Sequence, residues 1–156
     1  MADWIEVDAK APDFTLATHD GGKLKLSSLR GKTVVLYFYP KDDTPGCTKE
    51  ACGFRDTRPE LERAGAVVLG VSPDSPESHA RFREKYDLPF TLLADPNHTV
   101  AEKYGAWREK NMYGKKTLGI ARSTFIIGPD GRVVKVFKAV KTAVHAEQVL
   151  AALAVN

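Results

Sequence analysis

Apolar and polar residues alternate in two short stretches near the start of the chain, residues 14–18 and 23–26. Residues 19–22 between them include two consecutive glycines, so the three segments together predict a β-hairpin. The next apolar stretch, residues 33–39, is continuous and rich in valine and aromatic residues. Such a run is typical of a strand that is buried on both faces. The pattern therefore predicts an N-terminal hairpin followed by a central strand.

Beyond residue 40, predicted helices alternate with short apolar segments. A helix is predicted from about residue 45 to residue 64, ending at Gly65. Pro59 interrupts it and predicts a kink or break near Arg58. Residues 105–120 show little regular signal and are predicted to form a long connection. The other predicted elements are strands at 67–71, 90–94, 122–127 and 133–137 and helices at 76–86, 98–104 and 143–153. This order predicts a mixed α/β sheet with helices on both faces.

The length and composition indicate one ordinary domain spanning residues 1–156. Hydrophobic residues make up 43% of the chain and charged residues 28%, as in soluble proteins. The formal net charge of +3 is too small to indicate nucleic-acid binding. No apolar stretch approaches the roughly 18 residues of a membrane span, and the first residues lack the basic and apolar regions of a signal peptide. We therefore expect a cytoplasmic protein without a nucleic-acid or membrane partner.

The chain has two cysteines, Cys47 and Cys52, separated by four residues. In a reducing compartment such a pair is more often catalytic or redox-sensing than structural. The spacing of the two cysteines matches the start of one iron–sulfur cluster motif, but Arg55 occupies the position where that motif requires the next cysteine. The four histidines are dispersed and none is near the cysteines in sequence, so we predict no metal and no cofactor. A cysteine–histidine hydrolase stays open, because such partners meet only in the fold.

Cys47 stands where its ionised form is favoured. Thr44 and Pro45 predict a helix start, with Thr44 as N-cap and Pro45 as the first helical residue. Cys47 is then the third helical residue, facing free amides and the positive end of the helix dipole. A thiol with a pKa near 8.5 is about 3% ionised at pH 7, whereas one with a pKa of about 6 is about 90% thiolate. Asp42 and Asp43 would oppose ionisation if they pointed at the sulfur, so a nearby cation is required. Without such an environment, Cys47 would be a small buried hydrophobe.

The run Pro40-x-x-x-Thr44-x-x-Cys47 follows directly on a predicted strand. It resembles the active-site signature of the peroxiredoxins, and the longer run through Cys52 to Asp56 resembles their bacterioferritin comigratory protein (PrxQ-like) branch. The similarity continues across the chain, at residues 11–14, 70–72, 90–95 and 122–125. The resemblance implies a thioredoxin-like fold, with a mixed central sheet flanked by helices.

The resemblance also implies a role for each of five residues. Cys47 would be the peroxidatic nucleophile, and Cys52 would condense with its sulfenic acid. The Thr44 hydroxyl would hydrogen-bond the thiolate and the peroxide, Pro40 would shield the sulfur from water, and Arg122 would be the required cation. Apart from the resemblance, the same residues would be an ordinary helix cap, a strand end and a surface arginine.

The implied function is reduction of hydrogen peroxide and organic hydroperoxides, with thioredoxin as the reductant of an intrachain disulfide. A monomer is expected, because a partner cysteine in the same chain removes the need for a second subunit. Two other functions remain open. A thioredoxin-type disulfide oxidoreductase would need Cys-x-x-Cys, and Thr44 occupies the first of those positions. A non-enzymatic redox sensor would keep both cysteines without fast turnover.

A disulfide between Cys47 and Cys52 is incompatible with a regular helix. Over five residues an ideal helix rises about 7.5 Å and turns about 140° beyond one full turn, which separates the two Cα atoms by about 8.7 Å. A disulfide needs about 4.4–6.8 Å. The helix is therefore expected to unwind locally in each cycle, and Gly46 and Gly53 make this easier.

Other residues around this segment are expected to be structural. Glu50, one turn after Cys47, is predicted to be a solvated helix residue rather than an acid catalyst. The aromatic residues Phe82, Tyr86 and Trp107 are predicted to belong to the core or to a pocket wall.

Overall fold

The computed structural model of the chain describes residues 3–155. The strands are β1 (Thr15–Thr18), β2 (Lys23–Lys25), β3 (Thr33–Phe38), β4 (Ala66–Ser72), β5 (Thr91–Ala94), β6 (Trp107–Met112), β7 (Lys115–Ile120), β8 (Ser123–Ile127) and β9 (Val133–Phe137). The α-helices are α1 (Pro45–Asp56), α2 (Arg58–Arg63), α3 (Pro76–Lys85), α4 (Thr99–Tyr104) and α5 (His145–Val155). A short 3-10 helix, Leu26–Leu29, follows β2.

A seven-stranded sheet forms the centre of the fold, in the order β2-β1-β5-β4-β3-β8-β9. Its central strand β3 is parallel to β4 and antiparallel to β8, so that Leu36 lies between Leu69 and Phe125. Residues of α1, α2, α3 and α5 contribute to the core on one face, and residues of α4 contribute to the core on the other. The predicted N-terminal hairpin, central strand and mixed sheet with helices on both faces are confirmed.

The predicted break in the first helix is also confirmed. The segment divides into α1 and α2, with Thr57 between them. Pro59, the second residue of α2, has no backbone N–H to continue the hydrogen bonding of α1. The backbone N–H and the hydroxyl of Thr57 both donate to the carbonyl oxygen of Gly53, at 3.2 and 2.9 Å. Gly65 follows α2 with φ of 74°, a left-handed conformation that glycine adopts readily.

The prediction of an irregular connection over residues 105–120 is wrong. Most of this segment forms an antiparallel hairpin, β6–β7, whose strands pair only with each other among the described residues. Tyr113 and Gly114 at its turn both have positive φ, 54° and 80°, as tight hairpin turns require. The strands are largely polar, with a cross-strand ion pair between Glu109 and Lys116 at 3.7 Å. Because little of the hairpin is buried, it lacks the apolar alternation that marks a strand in sequence.

Gly70 in β4 leaves room for the ring of Tyr37 in β3. A Cβ atom at Gly70 would lie 2.8 Å from Leu92 Cδ2 and 2.9 Å from the Tyr37 hydroxyl oxygen. We expect Gly70→Ala to lower the free energy of unfolding by about 1–3 kcal/mol, the usual cost of overpacking a core. Gly119→Ala in β7, whose added Cβ would lie no closer than 3.4 Å to Lys110, is the control. Urea denaturation that gave the two variants equal stability would contradict this account.

Candidate active site

Cys47 lies in the first turn of α1, directly beyond the central strand. Pro45 is the first residue of this helix, and Cys47 is the third, as predicted. The Cys47 side chain is 1% exposed and packs in the same cluster as Tyr37 and Tyr39. A buried thiol gains a stable charge only if a cation or hydrogen-bond donors replace the lost water. The surroundings of the sulfur therefore decide its reactivity.

Arg122 supplies that cation. It immediately precedes β8, next to β3 in the sheet, and its Nη2 donates to the Cys47 sulfur at 3.2 Å. Its Nη1 donates to Glu50 Oε1 at 2.8 Å. The structure thus places Arg122 where the peroxiredoxin resemblance implied, although 75 residues separate it from Cys47 in sequence. Among the hydrogen bonds of the described residues, the partner of the Cys47 sulfur is Arg122, and no histidine bonds to it.

Glu50 is not solvated, and the prediction that it would be is wrong. It lies on the same inward face of α1 as Cys47 and Ala51, with 1% exposure. Its Oε1 accepts the bond from Arg122, whereas its Oε2 has no hydrogen-bond partner among the described residues. Burial raises the pKa of Glu50 to about 7, and Arg122 only partly opposes this shift. Glu50 is thus a buried carboxyl that titrates near neutral pH.

Asp42 is hydrogen-bonded to residues other than Cys47. It accepts a hydrogen bond from the Tyr39 hydroxyl at 2.6 Å, and its other oxygen lies 2.7 Å from His79 Nδ1. Asp42, Asp74 and His79 are also the one group of possible metal ligands found within the described residues, with ligand atoms within 4.8 Å of one another. Their hydrogen bonds to neighbouring groups already account for this arrangement.

Asp43 is likewise engaged elsewhere. Its carboxylate pairs with Lys85 Nζ at 2.7 Å and accepts a hydrogen bond from the Tyr86 hydroxyl at 2.5 Å. These contacts lower the pKa of Asp43, and the hydrogen bond with Lys85 has the largest effect. The two carboxylates that could have opposed ionisation of Cys47 are therefore bound by other partners.

Thr44 takes the predicted N-cap position, but its side chain makes no capping hydrogen bond. Its backbone is extended, with φ of −94° and ψ of 156°, and its side chain bonds no helix amide. The hydroxyl donates instead to the carbonyl oxygen of Lys41 at 2.9 Å. Pro40 follows β3 and is half-buried. The roles of Thr44 and Pro40 toward thiolate and peroxide stay predictions.

Cys52 lies farther along the same uninterrupted helix. Both thiols are free, and Cys52 is half-buried whereas Cys47 is buried. α1 is continuous from Pro45 to Asp56. In this conformation the two cysteines are therefore separated by regular helix, and a bond between them requires a change of backbone.

Sequence reasoning missed two further residues near Cys47. Lys110 projects from β6, and its pKa is lowered by burial first and then by the charge of Arg122, while Cys47 opposes the shift. Tyr37 is buried, and its hydroxyl has no hydrogen-bond partner among the described residues. Burial raises the pKa of Tyr37, and the negative charges of Glu50 and Cys47 add to this. The spacing of Glu50 from Cys47 could have indicated a shared helix face, but nothing in the sequence pointed to Lys110.

This arrangement favours nucleophilic chemistry at sulfur. Arg122 and the first turn of α1 both place positive charge at Cys47. The same donors can stabilise negative charge that develops on an atom bound beside the sulfur. Lys110 adds a second cation in the neighbourhood.

The chain is similar to known proteins over most of its length. The model of the AhpC/TSA family matches residues 7–136. A putative peroxiredoxin bcp of Coxiella burnetii is 55% identical over 149 residues, which cover 96% of this chain and 99% of the relative. Peroxiredoxin Bcp of Bacillus subtilis is 49% identical over 149 residues, which cover 96% of this chain and 95% of the relative.

Solved structures show the same similarity. Peroxiredoxin Q of Xanthomonas campestris aligns with a TM-score of 0.90 at 44% identity, covering 97% of this chain and 96% of that one. The bacterioferritin comigratory protein of the same organism, whose alkyl peroxide reduction activity was studied in trapped intermediate and ligand complexes, aligns with a TM-score of 0.89 at 44% identity and the same coverage. The fold is therefore thioredoxin-like, as predicted.

The raised pKa of Glu50 predicts a pH dependence of stability. A carboxyl whose pKa rises from 4.5 to about 7 on folding binds its proton more tightly in the folded state. The free energy of unfolding should therefore fall as the pH rises from about 4.5 to 7, by at most roughly 3 kcal/mol. We expect Glu50→Gln to remove this slope and exposed Glu60→Gln to retain it. Urea denaturation across this pH range tests it, and an unchanged slope in Glu50→Gln would show that Glu50 is not the group.

Proposed function

Because the chain belongs to the AhpC/TSA family, among the peroxiredoxins of the Bcp type, we propose that Cys47 is its peroxidatic nucleophile and that it reduces both hydrogen peroxide and organic hydroperoxides. The observation that most directly supports this proposal is the 3.2 Å hydrogen bond that Arg122 donates to the Cys47 sulfur. Family membership makes the chain a thiol-dependent peroxidase. The alkyl peroxide reduction studied in the Xanthomonas campestris protein supports organic hydroperoxides as substrates of this chain.

In the first step the Cys47 thiolate attacks one peroxide oxygen. The sulfur–oxygen bond forms, the O–O bond breaks, and the departing alkoxide or hydroxide takes up a proton to leave as alcohol or water. Cys47 becomes a sulfenic acid. Arg122 stabilises the thiolate and then the charge on the two oxygens. Thr44 turns its hydroxyl from the Lys41 carbonyl to the peroxide, and Pro40 keeps water from the sulfur.

The charge state of Glu50 affects how strongly Arg122 stabilises the thiolate of Cys47. The two hydrogen bonds of Arg122 divide its guanidinium between Glu50 and Cys47. Because burial raises the pKa of Glu50 to about 7, part of the molecules carry an uncharged Glu50 at neutral pH. In those molecules the positive charge of Arg122 is opposed only by the thiolate. Glu50 therefore belongs to the charge balance of the site without touching the peroxide.

In the second step Cys52 resolves the sulfenic acid. Its thiolate sulfur bonds to the sulfur of Cys47, the S–O bond of the sulfenic acid breaks, and the hydroxide released takes up a proton to leave as water. The resulting disulfide is reduced by exchange with an external dithiol, for which we propose thioredoxin. The regular helix between the cysteines must first unwind, since its Cα separation of about 8.7 Å exceeds disulfide reach. Forming the disulfide promptly also protects Cys47 from irreversible oxidation.

The proposed cycle is complete within one chain, which supports a monomer as the working unit. It also needs a compartment in which dithiols regenerate both thiols, which supports the cytoplasm. In the described part of the chain, no helix has the length and apolar character to cross a membrane.

Substitution of each cysteine separates the two steps. Cys47→Ser should abolish peroxide reduction, because a serine hydroxyl is essentially un-ionised at neutral pH. Cys52→Ser should complete one turnover and accumulate sulfenic acid, while steady-state cycling with thioredoxin falls. Stopped-flow fluorescence and coupled peroxide consumption measure both. Wild-type cycling by Cys52→Ser would exclude Cys52 as the resolving residue, and absence of turnover in the wild type would favour a redox sensor.

A more stable helix should slow the second step alone. In Gly53→Ala the new Cβ would lie 3.5 Å from the Ala146 side chain, an ordinary contact. Alanine stabilises a helix interior by about 1 kcal/mol relative to glycine. If α1 must unwind, disulfide formation should slow about fivefold while the peroxide step keeps its rate. Rapid-mixing kinetics of both steps provide the test, and an unslowed disulfide step would contradict unwinding around Gly53.

A further inference from the structure

Asp42 is the centre of a buried hydrogen-bond network in the active-site segment, which we define as residues 40–44. Its side chain is 4% exposed. One carboxyl oxygen, Oδ1, accepts from the Tyr39 hydroxyl at 2.6 Å, and the other, Oδ2, accepts from the Ser78 hydroxyl at 2.8 Å. Oδ2 also lies 2.7 Å from His79 Nδ1. Both oxygens of the carboxyl group are therefore held by neighbouring side chains.

His79 connects this carboxyl group to the sheet. Its imidazole is fully buried in α3, and its Nε2 lies 2.9 Å from the carbonyl oxygen of Leu93 in β5. A carbonyl oxygen only accepts, so Nε2 carries a hydrogen and donates it. The 2.7 Å contact between Nδ1 and Asp42 Oδ2 requires a proton between those two atoms, whichever of them holds it. His79 thus joins the active-site segment to α3 and to β5.

The backbone of the segment is held at the same residue. The Asp42 N–H donates to Asp74 Oδ2 at 2.7 Å, and the Ser72 hydroxyl at the end of β4 donates to the same oxygen at 2.7 Å. The next residue, Asp43, has φ of 58°, a left-handed conformation that costs free energy in a residue other than glycine. Such a conformation persists only where surrounding contacts fix the chain. Asp42 supplies these contacts immediately before the strained residue.

The strained residue leads directly to the groups that face the reaction. Thr44 follows Asp43, and its hydroxyl donates to the Lys41 carbonyl oxygen at 2.9 Å. The helix α1 begins one residue later and carries Cys47 as its third residue. The position of the Thr44 hydroxyl relative to the sulfur therefore depends on the backbone of residues 41–44. That backbone depends in turn on the anchor at Asp42.

The C-terminal end of α3 holds the same region by a second set of contacts. Lys85 Nζ and the Tyr86 hydroxyl donate to the Asp43 carboxylate, and Arg55 Nη1 in α1 donates to the Tyr86 carbonyl oxygen at 2.7 Å. The contacts of Asp43 are exposed, whereas those of Asp42 with Tyr39 and His79 are buried. Water competes less with hydrogen bonds in a buried site. The network of Asp42 is therefore the firmer of the two attachments.

We propose that Asp42 is a positioning residue for the peroxide step, holding residues 40–44 so that the Thr44 hydroxyl reaches the peroxide at Cys47. The inference rests on the proposed function, in which Thr44 turns its hydroxyl to the peroxide. Asp42 acts through the backbone and does not itself bind the peroxide. A misplacement of about 1 Å can slow a reaction about a hundredfold. Because the network lies outside the helix that must unwind, its effect is confined to the peroxide step.

A double-mutant cycle tests this role, with the two steps resolved by stopped-flow fluorescence in a single turnover with hydrogen peroxide. Asp42→Ala should slow the peroxide step about 10- to 100-fold. Thr44→Val, which lacks the hydroxyl, should slow it as well. If Asp42 acts through Thr44, the double variant should react no more slowly than the slower single variant, whereas independent roles would give additive effects on the logarithm of the rate. The disulfide-forming step should keep its rate in all three variants.

Two further variants separate positioning from a general loss of stability. Asp42→Asn keeps the side-chain shape and still accepts from the Tyr39 hydroxyl, so it should recover most of the rate lost in Asp42→Ala. Asp95→Ala is the matched control, because Asp95 is also a buried acid and accepts the backbone N–H groups of Val100 and Ala101 in α4. Its loss should lower the midpoint of urea denaturation and leave the peroxide step unchanged.

Four results would overturn the proposal: a wild-type peroxide rate in Asp42→Ala or in Thr44→Val, additive effects in the cycle, no recovery in Asp42→Asn, or an equal loss of rate in Asp95→Ala. If Asp42→Ala does not fold, Tyr39→Phe takes its place in the cycle, since it removes one donor to Asp42 and keeps the ring. Peroxide reduction by Cys47→Ser would overturn the proposed function instead.

Discussion

The half-buried guanidinium of Arg122 connects the parts of the site that are far apart in the sequence. Its two hydrogen bonds join the start of β8 to Cys47 and Glu50 in the first turns of α1. A thiolate that is almost fully buried is unstable without such a partner, since burial alone favours the neutral thiol. The engagement of Asp42 and Asp43 by other residues protects this balance. The reactivity proposed for Cys47 depends on this one side chain.

The proposed catalytic cycle places two opposing requirements on the helix α1. Its first turn must be formed to direct amides and Arg122 at the sulfur, whereas the bond between Cys47 and Cys52 requires the turn to open. A segment of modest stability between fixed ends satisfies both. Gly46 and Gly53 lower the helix propensity of the segment, and the contacts with Lys85 and Tyr86 hold its flanks.

Much of the fold could be predicted because local chemistry determines it. The glycine turn of the N-terminal hairpin, the continuous apolar run of β3 and the break at Pro59 depend on residues close in sequence. The hairpin β6–β7 could not be predicted in the same way. Its strands are polar and pair with each other rather than with the central sheet. Because neither face of these strands is extensively buried, their sequence does not alternate between apolar and polar residues. A prediction from the apolar pattern detects strands that pack against a hydrophobic core, and this hairpin makes little contact with one.

The sequence by itself determined that Cys47 is the third residue of a helix, because Thr44 and Pro45 start that helix locally. It could not show that Glu50 is buried or that Lys110 approaches the site, and it placed Arg122 at the sulfur only through resemblance. These features were decided by tertiary packing, which brings Arg122 to Cys47 across 75 residues of sequence. The sequence specifies which side chains are charged. The strength of an interaction between two charges depends on their distance and burial, which are defined only once the sheet and helices have packed.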